Sequence, residues 1–154
     1  MTPDKTITTS RRRRATPEPF FTLERANRSL VLVRPIVAGL VTQFRELTAL
    51  QAERERLACT RGQVEQIETL EHDMQRHAAA LNALNQELLA VGCVLKDWGT
   101  GLVDFPAQLR GRRVWLCWKL GEPAVTHWHE WDAGYAGRRT IGPDWPPGHE
   151  HAAA

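Results

Sequence analysis

The residues of this sequence best suited to chemistry are two histidines, His127 and His129, separated by a single tryptophan. If this segment is a β-strand, alternate side chains point to one face, so the two imidazoles share a face and Glu130 lies on the other. Two imidazoles arranged in this way can bind a divalent metal ion such as zinc or iron, given one or two further ligands. The alternative is that both histidines are structural and hydrogen-bonded among the neighbouring tryptophans.

The third ligand depends on the turn that precedes His127. With a three-residue turn at Gly121-Glu122-Pro123, Leu120 pairs with Ala124, and Cys117 falls opposite His127 on the face of both histidines. A two-residue turn reverses the parity and sends Cys117 to the other face. The sequence therefore predicts a metal site at His127, His129 and Cys117 for the first turn only, and otherwise Cys117 is a small buried apolar residue.

Several other polar side chains of this region could contribute, but their spacing does not place them. They are Asp97, Asp104, Glu122, Asp132 and Arg138. A carboxylate among them could complete a metal shell or take part in acid–base catalysis, and turn hydrogen bonding is the simpler role. The arginine could bind an anion or cap the sheet edge. A second pair, His149 and His151, could bind metal adventitiously and mislead an assay.

Five of the six tryptophans lie in the same region of the chain: Trp98, Trp115, Trp118, Trp128 and Trp131. Each aromatic side chain buries roughly 150–250 Å². We therefore expect the tryptophans mainly to pack a small sheet against apolar helices, and the alternative is a pocket for a flat ligand.

The elements that must position these residues begin with a long amphipathic helix, predicted over residues 20–58. Apolar residues recur at alternating spacings of three and four from Leu23 to Leu57, and Thr22 suits the N-cap. Because Pro35 lacks a backbone donor, we expect a kink or break in the helix close to it.

A second amphipathic helix is predicted over residues 63–91, after a turn at residues 59–62, with Gly92 as its left-handed cap. Folding the chain back at the turn brings apolar positions of the two helices together. The expected pairs are Leu47 with Met74, Leu40 with Leu81 and Val33 with Leu88. The mutual register predicts an antiparallel, coiled-coil-like helical hairpin.

From residue 93 the apolar period changes to that of short strands. The predicted strands are Cys93 to Trp98, Leu102 to Phe105, Val114 to Leu120 and Ala124 to Glu130, with irregular structure over residues 131–141. The fold class is therefore α+β, a long antiparallel helical hairpin followed by a small antiparallel β-meander. We expect a disordered basic arm over 1–19, one domain over 20–141 whose tryptophan-rich β-unit is 93–141, and a flexible tail over 142–154.

Net charge, apolar runs and cysteine spacing indicate which partners and which cellular location to expect. The chain carries a formal charge of +2, and the first nineteen residues hold five basic residues against two acidic ones, so the rest is almost neutral. Nucleic-acid binding is not expected beyond weak phosphate contact by Arg11 to Arg14. No apolar run is long enough for a membrane span. The three cysteines lack the spacing of a disulfide framework, which predicts a reducing, cytoplasmic location.

Several motifs in order resemble one known family, domain-of-unknown-function family 2203. They are Phe21-Thr22-Leu23-Glu24-Arg25-Ala26-Asn27, Val33-Arg34-Pro35, Lys96-Asp97, Gly101-Leu102-Val103-Asp104-Phe105-Pro106, Leu116-Cys117-Trp118-Lys119-Leu120-Gly121-Glu122-Pro123, His127-Trp128-His129 and Gly134-Tyr135-Ala136-Gly137-Arg138. The resemblance covers about residues 20–141 and implies no activity. It supports the architecture and leaves the function open.

Two functions from different classes are compatible with these patterns. The first is a non-enzymatic binding or protein-interaction module that contacts a protein partner or a second copy as a homodimer. The second is a divalent-metal-binding protein or metalloenzyme with zinc or iron at His127 and His129. We favour the first as a description and regard the second as the more specific hypothesis. The sequence leaves open whether the protein is an enzyme and leans against it.

Overall fold

The computed structural model describes residues 20–147, and the sequence in this range folds as a helical hairpin followed by an antiparallel sheet. The elements are α1 (Leu23–Ala58), α2 (Val64–Val91), β1 (Val94–Asp97), β2 (Leu102–Leu109), β3 (Arg112–Lys119), β4 (His127–Glu130), a 3₁₀ turn (Tyr135–Gly137) and β5 (Arg139–Thr140). The predicted α+β class is confirmed. The predicted basic arm with its four arginines, and His149 and His151, lie outside the described residues.

Helix α1 begins as its sequence predicts. The Thr22 hydroxyl accepts a hydrogen bond from the Arg25 amide at 3.1 Å, which satisfies one of the free donors of the first turn. The helix then runs without interruption through Pro35, so it forms one element rather than two. Pro35 is exposed, so the carbonyl that loses its intrahelical donor there can be solvated.

Helix α2 ends at Gly92, whose φ of 108° is the left-handed cap conformation that glycine adopts without steric cost. The two helices pack antiparallel in the predicted register. The His77 Nδ1 and Gln43 Oε1 atoms lie 2.6 Å apart across the hairpin, and Leu47 and Met74 line the same interhelical groove. Within the described residues neither helix combines the length and the apolar character needed to cross a membrane.

The five strands pair in sequence order, each antiparallel to the next. This is one strand more than the three or four that the sequence indicates, because the two-residue β5 falls in a stretch without apolar alternation. Strand β2 also continues past Pro106, where a loop is predicted. The Pro106 carbonyl accepts a hydrogen bond from the Phe21 amide at 2.7 Å, so its nitrogen also faces away from β3 and no ladder bond to β3 is lost.

One face of the sheet packs on the hairpin and forms the core. Its side chains alternate along the strands with those of the opposite face. The buried residues of this face include Leu95, Val103, Phe105, Ala107, Val114, Leu116, Trp118 and Trp128. They contact the buried stripe of α1, which ends at Val41. Three tryptophans, Trp98, Trp118 and Trp128, thus lie in or against the core, as their expected packing role requires, and Trp145 packs against it too.

Gly101, in the β1–β2 turn, lies where the sheet packs closely against α1. Its φ is +76°, and a Cβ built there would lie 2.8 Å from Leu120 Cβ and 2.9 Å from Val37 Cγ1. We expect Gly101→Ala to lower the free energy of unfolding by about 3–4 kcal/mol, through left-handed strain and overpacking together. Chemical denaturation measures this change.

Gly111 is the matched control for this prediction, because its φ is +80° and a Cβ there would meet nothing within 4 Å. Gly111→Ala should therefore cost only the conformational strain of about 1–2 kcal/mol. Equal losses in the two variants would show that the contact between sheet and hairpin at Gly101 is not tight.

Candidate metal centre

The sheet register places four polar side chains on the face opposite the hairpin, hereafter the second face: those of Asp104, Cys117, His127 and His129. Asp104 of β2 pairs with Cys117 of β3, and Cys117 pairs with His127 of β4. The register has the parity of the three-residue-turn alternative, so Cys117 shares a face with both histidines. The connection itself is longer than predicted and spans residues 120–126, because β4 begins at His127 and not at Ala124. His129 lies two residues further along β4, opposite Trp115.

Within residues 20–147, Asp104, Cys117 and His129 form a cluster of potential metal ligands. One ligand atom of each, a carboxylate oxygen, the sulfur and a ring nitrogen, lies within 4.8 Å of the other two. The exposed fractions of the three residues are 2%, 0% and 2%. Charged and polar groups are rarely buried this deeply unless they are paired or coordinate a metal.

Both ring nitrogens of His129 face hydrogen-bond acceptors. Nδ1 lies 2.8 Å from the carbonyl oxygen of Glu130, and Nε2 lies 2.9 Å from Asp104 Oδ2. The Nδ1–H that donates to a backbone carbonyl is the usual arrangement of a histidine that ligates a metal through Nε2. The space between Nε2 and Oδ2 therefore requires a proton or a metal cation.

The other carboxylate oxygen of Asp104 is left without a hydrogen bond. Across residues 20–147, Asp104 Oδ1 and Arg138 Nε are the two buried side-chain atoms that have no partner. In the metal-free protein the Cys117 thiol is the donor that the cluster itself can offer to this carboxylate, and a buried polar group left unsatisfied costs about 1–3 kcal/mol, more when it is charged. The cluster therefore has the electron-pair donors of a cation site.

Burial raises the pKa of the Cys117 thiol to about 12, and the charge of Asp104 contributes in the same direction. The thiol is therefore protonated at neutral pH. A bound cation would displace this proton, because only the thiolate is an effective ligand.

The connection between β4 and β5 closes over the second face. At one end, Trp131 stacks on Trp115 with ring centroids 4.1 Å apart, and Trp115 Nε1 donates to the Trp131 carbonyl at 3.2 Å. At the other end, Arg138 Nη2 donates to Glu122 Oε1 at 2.5 Å and to the Cys117 carbonyl at 3.4 Å. The cluster lies beneath these contacts, away from bulk water.

The remaining sequence candidates do not join the cluster. His127 Nδ1 lies 2.9 Å from Thr126 Oγ1 and 3.7 Å from Glu122 Oε2. Asp97 Oδ1 accepts from the amides of Gly99 and Thr100, a turn role, and the Thr100 hydrogen bond lowers its pKa. Asp132 is exposed. The ligand assignment to His127, His129 and Cys117 stays a prediction, and the geometry adds Asp104.

Asp104 and Arg138 were among the sequence candidates, but sequence reasoning gave neither a position. The available signal was the single aspartate in the apolar run Leu102-Val103-Asp104-Phe105. A carboxylate buried in such a run lowers stability unless it has a hydrogen-bond or ionic partner. Its partner lies in β4, two strands away, and is identified only by the sheet register. Arg138 lacked any such signal.

Cys93 offers a test of burial at the junction of α2 and β1. It is fully buried, and desolvation raises its pKa from 9.0 to about 12. Between these values the folded thiol keeps a proton that the unfolded chain releases, so stability falls as pH rises from 9 toward 12. We expect urea unfolding to show about 1.4 kcal/mol more loss between pH 8 and pH 10 for the native protein than for Cys93→Ala.

In that comparison, Cys117 is present in both proteins and its contribution cancels. Identical pH slopes for the native protein and the variant would contradict the burial of Cys93.

These features define the class of protein: an α+β chain in which a helical hairpin supports one face of an antiparallel meander and a closed aspartate–cysteine–histidine cluster lies on the other. The chain belongs to the family described as Uncharacterized conserved protein (DUF2203), which matches residues 19–141. The resemblance of its sequence motifs is thereby confirmed. The search of curated proteins and the search of solved structures found no significant match.

Proposed function

We propose that this protein binds one divalent metal ion, zinc, through Asp104, Cys117 and His129. The observation that carries the proposal is the buried Asp104 carboxylate, which holds one oxygen against His129 Nε2 and, in the described part of the chain, has no hydrogen bond at the other. A cation between the carboxylate, the thiolate and the imidazole satisfies all three groups at once.

The donor set favours zinc over iron. Zinc accepts sulfur, nitrogen and oxygen ligands in tetrahedral sites, whereas the common non-haem iron site uses two histidines and a carboxylate without a thiolate. With three protein ligands, one coordination position remains for water.

The burial of the ligands supports a structural rather than a catalytic role. Catalytic zinc sites keep a position open to substrate, and here the ligand side chains of Asp104 and His129 are each 3% exposed. The ion would then link β2, β3 and β4 and stabilise the closed β4–β5 connection. The reduced Cys117 thiol that the site requires supports a cytoplasmic location.

Zinc titration of the metal-free, full-length protein tests the proposal. The titration uses a chromophoric chelator as competitor and a His149→Ala/His151→Ala background, which removes adventitious binding near the C-terminus. We expect one equivalent of zinc to bind, and Cys117→Ala in the same background to bind none while circular dichroism shows it folded. No uptake in either protein, or equal uptake in both, would refute the site.

The interaction-module reading rests on a different part of the molecule, the outer hairpin, defined as residues 42–58 and 64–87. None of its residues is fully buried, and its apolar stripe, which includes Leu50, Leu57 and Leu70, is half-buried. A two-helix layer with a half-covered stripe can pair with a second copy to form a four-helix bundle, which supports the homodimer.

Light scattering across a range of concentrations tests this second candidate. A mass of twice the 17.4 kDa chain that returns to one chain in Leu70→Arg supports the homodimer. A single-chain mass for the native protein at every concentration refutes it.

A further inference from the structure

The segment between β4 and β5, residues 131–138 and hereafter the strap, crosses the second face of the sheet. In the part of the chain that the structure describes, both helices pack on the other face, so no further layer of helix or sheet covers this one. Asp104 and His129 nevertheless expose only 3% of their side chains. Because the strap contacts this face at Trp115 and at Cys117, on either side of the cluster, it covers the cluster.

The Trp131 end of the strap is held by a stack of aromatic rings and cations. The Trp115 and Trp131 rings are parallel to within 8°, with centroids 4.1 Å apart. Because no side chain fits between rings this close, the flanking cations lie on the outer faces. They are Lys96, 5.0 Å from the Trp115 centroid, and Arg113, 5.8 Å from the Trp131 centroid. Trp131 is still 42% exposed, so the stack can separate without the loss of a buried core contact.

The other end of the strap is held more firmly than the Trp131 end. Arg138 donates to Glu122 at 2.5 Å, and the chain then enters β5, which pairs with β4. Between the two ends, the 3₁₀ turn buries no residue, and its bond from the Gly137 amide to the Gly134 carbonyl, at 2.9 Å, lies within the strap. Such a bond persists when the strap moves as a unit. The stack at Trp131 is therefore the weaker of the two anchors.

We infer that the strap is a gate, and that separation of the Trp115–Trp131 stack opens it and lets solvent and the metal ion reach the cluster. The inference rests on the proposed function for the identity of the ion. Segments with few buried apolar contacts open locally while the rest of a protein stays folded. Neither ring belongs to a ligand residue. Weakening the stack should therefore speed metal uptake and release by about the same factor and change the dissociation constant little.

The cysteines of the metal-free, full-length protein test the gate through their accessibility to a thiol reagent, with mass spectrometry assigning the label. Cys59 is exposed, whereas Cys93 and Cys117 are fully buried. Cys93 belongs to the core between hairpin and sheet, so it is labelled only when the fold opens more widely. We expect Trp131→Ala to raise the labelling rate of Cys117 about 3–10-fold relative to Cys59, the factor that a stacked aromatic pair contributes. The rate of Cys93 should stay unchanged.

Trp145→Ala is the matched control, since Trp145 packs on Trp128 at the opposite face of the sheet, with ring centroids 5.8 Å apart. It should not raise the ratio of Cys117 to Cys93 labelling. Trp131→Phe keeps a ring against Trp115 and should give a smaller rise, and it decides the question if Trp131→Ala does not fold. An equal rise at both buried cysteines, or a native rate at Cys117 in the folded variant, overturns the gate.

Zinc uptake separates the gate from the metal site. In the His149→Ala/His151→Ala background, rapid mixing with zinc alone should show uptake faster in Trp131→Ala by the same factor as the labelling of Cys117. Faster labelling without zinc uptake by the background protein refutes the site, and with it the passage of the metal, while the opening of the strap stands. Zinc uptake with unchanged Cys117 labelling overturns the gate and leaves the site intact.

Discussion

Replacing His129 with alanine should abolish zinc binding by the full-length protein, with a loss of affinity greater than about 100-fold, more than loss of an outer hydrogen-bonding group costs. His129 supplies the only nitrogen among the clustered ligand atoms of the described chain, and its ring is oriented by the Glu130 carbonyl at 2.8 Å. Without it, two ligands remain, too few to hold zinc against water. Chelator competition in the His149→Ala/His151→Ala background measures the affinity.

His127→Ala is the matched control, because the two histidines differ in sequence position by two residues and share a face. The His127 ring contacts Thr126 and Glu122 instead of the cluster, so we expect this variant to keep one equivalent of zinc with an affinity within about 10-fold of the native value. Zinc lost from His127→Ala but retained by His129→Ala would contradict the proposed ligand set.

Asp104→Asn should affect the stability of the metal-free and the zinc-bound protein differently. In the metal-free protein, asparagine removes a buried charge and can donate its amide to His129 Nε2, so the free energy of unfolding should be unchanged or higher by about 1 kcal/mol. Zinc at 100 times its dissociation constant should stabilise the native protein by about 2.7 kcal/mol and the variant hardly at all. Urea unfolding with zinc and with a chelator gives both values.

Asp97→Asn is the corresponding control, since Asp97 is exposed and accepts only turn amides in the described structure. It should respond to zinc as the native protein does. If Asp104→Asn is strongly destabilised without metal and still stabilised by zinc, the Asp104–His129 pair is a structural hydrogen bond and the ion binds elsewhere.

The scaffold was largely predictable because its signals are local and periodic. Each of these signals depends on residues that are close together in sequence: the apolar spacing of the helices, the Thr22 cap and the Gly92 cap. The apolar spacing also predicts the register of the hairpin. The sequence predicts a loop at Pro106, but β2 continues through it. A proline destabilises a strand only where its nitrogen faces a neighbouring strand and a ladder hydrogen bond is lost. At Pro106 the side that the nitrogen faces is determined by Phe21, far away in sequence.

The candidate site was predictable only in part, because it depends on pairings across three strands. The H-x-H spacing placed both histidines on one face, and the register between β3 and β4 places Cys117 on that face too. The sequence could not show that His129 rather than His127 turns toward Asp104, since this choice follows from ring orientation and from the Glu130 carbonyl. The closing contact of Arg138 depends on an irregular loop and has no periodic signal.

X-ray absorption at the zinc edge of the full-length, zinc-loaded protein in the His149→Ala/His151→Ala background tests the central claim most directly. The Asp104, Cys117 and His129 site predicts a first shell with one sulfur at about 2.3 Å and nitrogen and oxygen neighbours at about 2.0–2.2 Å. The sulfur signal should disappear in Cys117→Ala. A shell of nitrogen and oxygen alone in the protein with Cys117 intact would contradict the site.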